Sequence, residues 1–166
     1  VARALVRCMT TNDIHGALRE GFARVSALGE SAAKTGKEIL ASNLSGFLRD
    51  PTYFPPENKG FQRTMLKAQF EVFIEQDMWL YGLESGLFLL EVLNTENALA
   101  EAVEMCRAIE TRIEEAAAGK KIDSREIDAM RTRFSNLNWE VLLASPDTKQ
   151  EDINKLLSPA NDRLRL

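Results

Sequence analysis

The sequence predicts an all-α protein, a helical bundle of five to six mostly antiparallel helices with one long helix at its centre. Three observations predict it. Apolar residues recur three and four positions apart along most of the chain, the spacing of helices with a buried face. The strong helix formers Ala, Leu, Glu, Lys and Arg dominate, while strand formers are sparse. Three of the five prolines gather in one stretch, DPTYFPPENKGF at residues 50–61, and the chain on either side of it reads as helix.

A chain of 166 residues, 45% hydrophobic and 28% charged, is long enough to bury a core and is neither disordered nor fibrous in composition. Residues 12–166 read as a single helical-bundle domain. Residues 1–11 read as a flexible N-terminal segment or a non-native extension, since Met9 is followed by the polar run TTND. Val1, Leu5 and Cys8 at helical spacing support instead a short amphipathic first turn.

The first helix starts at Asn12 or Asp13, both N-cap residues. Its stripe is Ile14, Leu18, Gly21, Val25, Leu28, Ala32 and Ile39. Five of the nine glycines fall here, each costing about 1 kcal/mol of helix stability relative to Ala. The expectation is a break near Gly29–Gly36, or close packing where only small residues fit. Helix ends by Asp50, because Pro51 turns the residue before it away from the helical region.

The proline stretch has no P-x-x-P register and reads as a turn that leads the chain into the central helix. Tyr53 and Phe54 within it either cover the end of the bundle or extend an apolar surface. The central helix is expected from Gly60 to Leu93 and shows two apolar faces. The wide one carries Phe61, Met65, Ala68, Val72, Trp79, Leu83, Leu87 and Leu90. The narrow one carries Phe70, Ile74, Tyr81, Phe88 and Val92. A surface helix needs one stripe, so this helix is central or offers its second face to another chain. Gly82 and Gly86 permit a neighbouring backbone to come close.

Asn94 is expected to cap a helix over 95–118, closed by Gly119 in the left-handed conformation. Asp123 with Glu126 three residues on marks the next start. Its stripe, Ile127, Met130, Phe134, Leu137, Val141 and Ala144, gains Trp139, Leu142 and Leu143 near the end, which predicts burial nearly all round there. Thr148 with Glu151 opens a short last helix facing inward through Ile153, Leu156 and Leu157.

Function is bounded mainly by what is missing. A single histidine, His15, excludes the Glu-x-x-His pairs of di-iron bundles and multi-histidine zinc sites. In GESAAKTGKE six residues separate the glycines where a phosphate loop has four, and Glu38 stands where Ser or Thr would bind magnesium. No cofactor is implied. A net charge of −4 argues against nucleic-acid binding. The charge is uneven, however: residues 57–118 carry five Lys/Arg against twelve Asp/Glu, while residues 1–56 sum to +2. The acidic middle suits a basic partner, or is a solvated face. The most apolar run, Met78 to Leu93, is too short to span a bilayer and contains Glu84 and Glu91. Two cysteines with no metal or redox spacing, Cys8 and Cys106, point to a reducing, cytoplasmic setting.

Among carboxylates, Asp77, Glu84 and Glu91 recur every seven residues along one helix line, too far apart to share a proton or a metal. Glu71 and Glu75 are one turn apart. Glu84, set among apolar residues, needs a cationic partner such as Arg107 or Arg112 if it is buried. The reading that follows is a non-catalytic helical protein acting through protein–protein interaction or self-association, with another protein or a second copy as partner. Its surface would be Tyr53, Phe54, Phe70, Ile74, Tyr81, Phe88 and Val92. The alternatives are a carboxylate-dependent enzyme, with a divalent metal, or a bundle that holds a small apolar ligand.

Overall fold

The computed structural model describes residues 2–50 and 59–145, and among them every element is a helix. They are α1 (Ala2–Thr10), α2 (Ile14–Ser26), α3 (Glu30–Arg49), α4 (Lys59–Glu75), α5 (Trp79–Thr95), α6 (Leu99–Ala118) and α7 (Ser124–Ala144). The all-α bundle stands, with more helices than expected. Tyr53 and Phe54, and the helix expected after Thr148, lie outside the described residues. Within residues 1–11, Ala2–Thr10 is helical, and Cys8 is fully buried in the core.

Two starts form as their sequence grammar demands. Asp13 caps α2 by accepting from Gly16 N at 2.8 Å, and Asp123 caps α7 by accepting from Arg125 N at 2.9 Å. The break in the glycine-rich segment comes after Ser26, with Gly29 at φ 94 leading into α3. It resets the helical phase. Leu28 and Ile39, on the single stripe of an unbroken helix, end 67% and 51% exposed, while Leu40, Ala41, Leu44 and Leu48 take the core face of α3. At Gly36, α3 lies close against α2: a Cβ there would come 2.6 Å from Val25 Cγ1.

The expected helix Gly60–Leu93 is two helices. Asp77 adopts φ 62 and the chain reverses. Met78 N donates to Phe73 O at 2.8 Å and Asp77 N to Ile74 O at 3.0 Å, the paired bonds of a Schellman motif with Asp77 in the left-handed position. The same motif closes α5 and α6. Ala98 N reaches Leu93 O and Asn97 N reaches Asn94 O around Asn97 at φ 55; Lys121 N reaches Ala116 O and Lys120 N reaches Ala117 O around Lys120 at φ 50. The left-handed residue after α6 is therefore Lys120, not Gly119. Asn94 caps nothing: it lies in the last turn of α5 and donates to Leu137 O and Glu140 Oε2 of α7.

The short connectors at 76–78 and 96–98 make α4, α5 and α6 antiparallel neighbours. α5 is the centre of the bundle, in contact with α3, α4, α6 and α7, while α2 joins α1, α3 and α4 on one side. The α4–α5 seam is the tightest. Ile74 sits on Gly82 and Phe70 on Gly86, so close that a Cβ would come 2.7 Å from Ile74 Cγ1 or 2.6 Å from Phe70 Cδ2. A buried polar pair crosses the same seam. The Ser85 hydroxyl lies 2.9 Å from the Tyr81 carbonyl and 3.1 Å from Gln69 Oε1, and with one proton it donates to one of them at a time.

Two substitutions test these features in urea melts. Gly86→Ala gains helix propensity of about 1 kcal/mol but drives a methyl into Phe70 and Ile109, and overpacking of that kind costs about 1–3 kcal/mol; a net loss of stability is expected, relieved by Phe70→Leu in the same chain. Lys120→Gly removes a side chain from a left-handed position and is expected to stabilise the protein by about 0.5–1 kcal/mol.

Candidate functional site

α3 and α7 both pack on α5 but stand apart from each other, and a groove of about 580 Å³ runs between them. Its α3 wall is built from small residues, Ser42, Ser45 and Gly46, and a Cβ at Gly46 would meet nothing within 4 Å. Leu80, Tyr81 and Leu87 of α5 form the floor, and Ala129 and Met130 of α7 the far wall. The Ser45 hydroxyl is buried in the α3 wall without a hydrogen-bond partner among the described residues.

Charges close one end of the groove. Arg49 Nη2 donates to Glu84 Oε2 at 2.6 Å from the α3 side. Arg133 Nη1 donates to the same oxygen at 3.1 Å from the α7 side, and its Nε and Nη2 hold Glu91 Oε1 at 3.0 and 2.7 Å. Arg49 also lies over the Phe88 ring, 5.8 Å from its centroid. Burial works against the charge of Arg133, but the hydrogen bonds and fields of Glu91 and Glu84 outweigh it and hold its pKa above the usual value. The partners of Glu84 are thus Arg49 and Arg133. Arg107 is exposed, and Arg112 bonds Glu115 of its own helix at 2.6 Å.

The seven-residue carboxylate line on α5 and its N-terminal turn is a seam of ion pairs. Glu84 and Glu91 meet Arg133, and Asp77 accepts from Lys121 at 3.0 Å and from Trp79 Nε1 at 2.8 Å. The Lys121 bond, then that of Trp79, draws the Asp77 carboxyl below the usual range against its partial desolvation. Glu71 and Glu75 are engaged too. His15 Nε2 lies 2.7 Å from Glu71, and Arg19 grips Glu75 with two bonds at 2.8 and 2.7 Å, which lowers the Glu75 pKa. Among the described residues no group of three or more His, Cys, Asp or Glu is placed to hold a metal ion. Cys8 and Cys106 are free thiols, pushed by burial to about 11 and about 12, so both stay protonated at neutral pH.

The expected partner surface divides. Phe70 and Ile74 are buried in the α4–α5 seam, because the chain reverses at Asp77 and turns their side of α4 onto Gly82 and Gly86. Tyr81, Phe88 and Val92 are half-buried on α5. Tyr81 lines the groove, and also a neighbouring hollow of about 640 Å³ lined by Trp79, Lys34, Lys37 and Lys121. Arg49 and Ser45 were not singled out from sequence, and nothing there paired Arg133 with Glu84 and Glu91. Their signal is tertiary, since each is an ordinary polar residue until α3 and α7 are set beside α5.

Comparison of the chain with protein-family models, with curated proteins and with solved structures finds no match. No helix among the described residues is long and apolar enough to cross a membrane.

The pairing of Asp77 carries a pH dependence. A carboxyl whose folded pKa is depressed contributes stability above its unfolded pKa and loses it as pH falls through the folded one. Asp77→Asn keeps the left-handed corner and an accepting oxygen but loses the charge that Lys121 pairs with. The wild type is expected to exceed it in stability at pH 7 by less than about 1 kcal/mol, given the exposure of the pair. That margin should vanish as pH falls below the usual carboxylate range, read from thermal melts of both proteins between pH 7 and 2.

Proposed function

We propose that this chain is a non-catalytic docking module that binds another protein, or a second copy of itself, in the groove between α3 and α7, with Tyr81 as the anchor and Phe88 beneath Arg49 beside it. The observation that carries the reading is the groove itself. Its wall of Ser42, Ser45 and Gly46 lets a helix approach α3 closely, and its floor offers a half-buried tyrosine among leucines. Tyrosine in such a setting supplies apolar area with a polar tip, the kind of residue that concentrates binding energy. The arrangement resembles helix-in-groove recognition, where an amphipathic helix lays apolar side chains three and four apart into a cleft between two helices.

The carboxylates add support by being occupied. Glu75, Asp77, Glu84 and Glu91 each contact a Lys or Arg from elsewhere in the fold, and Glu71 meets the His15 ring. Their geometry favours a role in positioning helices over proton transfer. Val92 extends the proposed surface only if the partner reaches beyond the groove.

Tyr81→Glu places a charge at the centre of the proposed contact. It is expected to keep the far-ultraviolet circular dichroism of the parent and shift the melting temperature by only a few degrees. Light scattering over a dilution series should then show self-association lost, with Ser42→Trp, which fills the groove from the other wall, losing it as well. A parent that stays monomeric at every concentration excludes the second copy as partner. Global unfolding of Tyr81→Glu would make the tyrosine a core residue and remove the anchor.

A further inference from the structure

A second groove lies where α1, α2 and α3 meet, with a volume of about 680 Å³. Its charge is one-sided. Arg3, Arg7 and Arg24 line it against a single acid, Glu20. Glu20 accepts from Arg24 Nη2 at 2.5 Å and lies 2.9 Å from Arg7 Nη2, so one carboxylate tethers two guanidiniums beside the opening. Arg3 has no ionic partner among the described residues. Buried Ala17 and Leu40 and half-buried Val25 line the same groove, with Val6 58% exposed among them.

We propose that this groove receives an acidic amphipathic segment of a partner protein, its carboxylates on Arg3, Arg7 and Arg24 and its apolar side chains against Val6 and Val25. Three features select that occupant. A guanidinium presents a planar fork of donors that matches a carboxylate, and tethering by Glu20 fixes two of the forks before the partner arrives. The apolar lining gives a peptide side chain something to cover and gives a free inorganic anion nothing. The rest of the molecule disfavours a long polyanion. The chain carries −4 overall and its middle third is strongly acidic, so the positive field of the groove is effective only within about one Debye length of roughly 10 Å. The proposal uses none of the residues of the Tyr81 groove and stands or falls apart from it.

The test uses a fluorescein-labelled synthetic peptide with Leu at three–four spacing and Glu between, and a control with every Glu replaced by Gln. Fluorescence anisotropy should show the Glu peptide bound in preference to the Gln peptide, with affinity falling as salt rises. Arg7→Gln with Arg24→Gln should weaken binding about tenfold. Arg3→Gln, which breaks no ion pair in the free protein, should weaken it by a smaller factor while leaving the melting temperature unchanged. Equal binding of the two peptides, or none, overturns the proposal, as does full affinity in both variants. Arginine-dependent binding of inorganic phosphate, or of phosphatidylserine vesicles, without binding of the Glu peptide would overturn it in favour of a phosphate site.

Discussion

A helix that is apolar on nearly every side has no face to give to water, and α5 is such a helix. Between Trp79 and Thr95 it carries only two charged residues, Glu84 and Glu91. Burying the rest requires neighbours all round, and α3, α4, α6 and α7 supply them. The two carboxylates cannot follow the leucines inward unpaired, since desolvating a charge costs several kcal/mol. They line up toward α7 instead, and Arg133 answers both. The site follows from the same constraint. α3 and α7 cover α5 from two directions without closing over it, and the strip of α5 left between them, with Tyr81 on it, is the floor of the proposed docking groove.

Much of this was legible along the chain. Asp13 and Asp123 cap helices because their side chains accept from an unpaired amide two or three residues on, a purely local event. The stop before Pro51 and the break at Gly29 are local too. The reversal at Asp77 was not legible. Left-handed corners usually advertise themselves with Gly, and here Asp77, Asn97 and Lys120 serve instead. The apolar register also runs through Gln76–Met78 unbroken, because both α4 and α5 are buried on more than one side. A break therefore leaves no phase change of the kind that Gly29 leaves in Leu28 and Ile39. Asn94 misled for a related reason: its side chain reaches across to α7, which only the folded arrangement brings near.

The site was legible in part. Aromatic and β-branched residues on the second stripe marked two different environments. Phe70 and Ile74 fill space left by glycines, while Tyr81 borders the groove and Phe88 lies half-buried under Arg49. Glu84 announced that it needed a cation, but which one depends on helices placed by packing far from it in sequence. The charge division along the chain was legible as a number. That the basic first third gathers three arginines at one groove became visible only with α1 laid against α2.

The glycine-lined seam between α4 and α5 bears on the order in which the chain folds. Its two helices are joined by the connector at 76–78, so Phe70 and Gly86 meet after closing a loop of modest length, at a small entropic cost. Topologies dominated by such local encounters fold fast, and their transition states tend to gather around one well-packed unit. The α4–α5 hairpin is the best candidate for that unit. It would present α5 as a template, half wrapped, on which α6 and α7 and then α3 condense. A core that depends on one helix being surrounded would then be assembled around that helix from its tightest side outward.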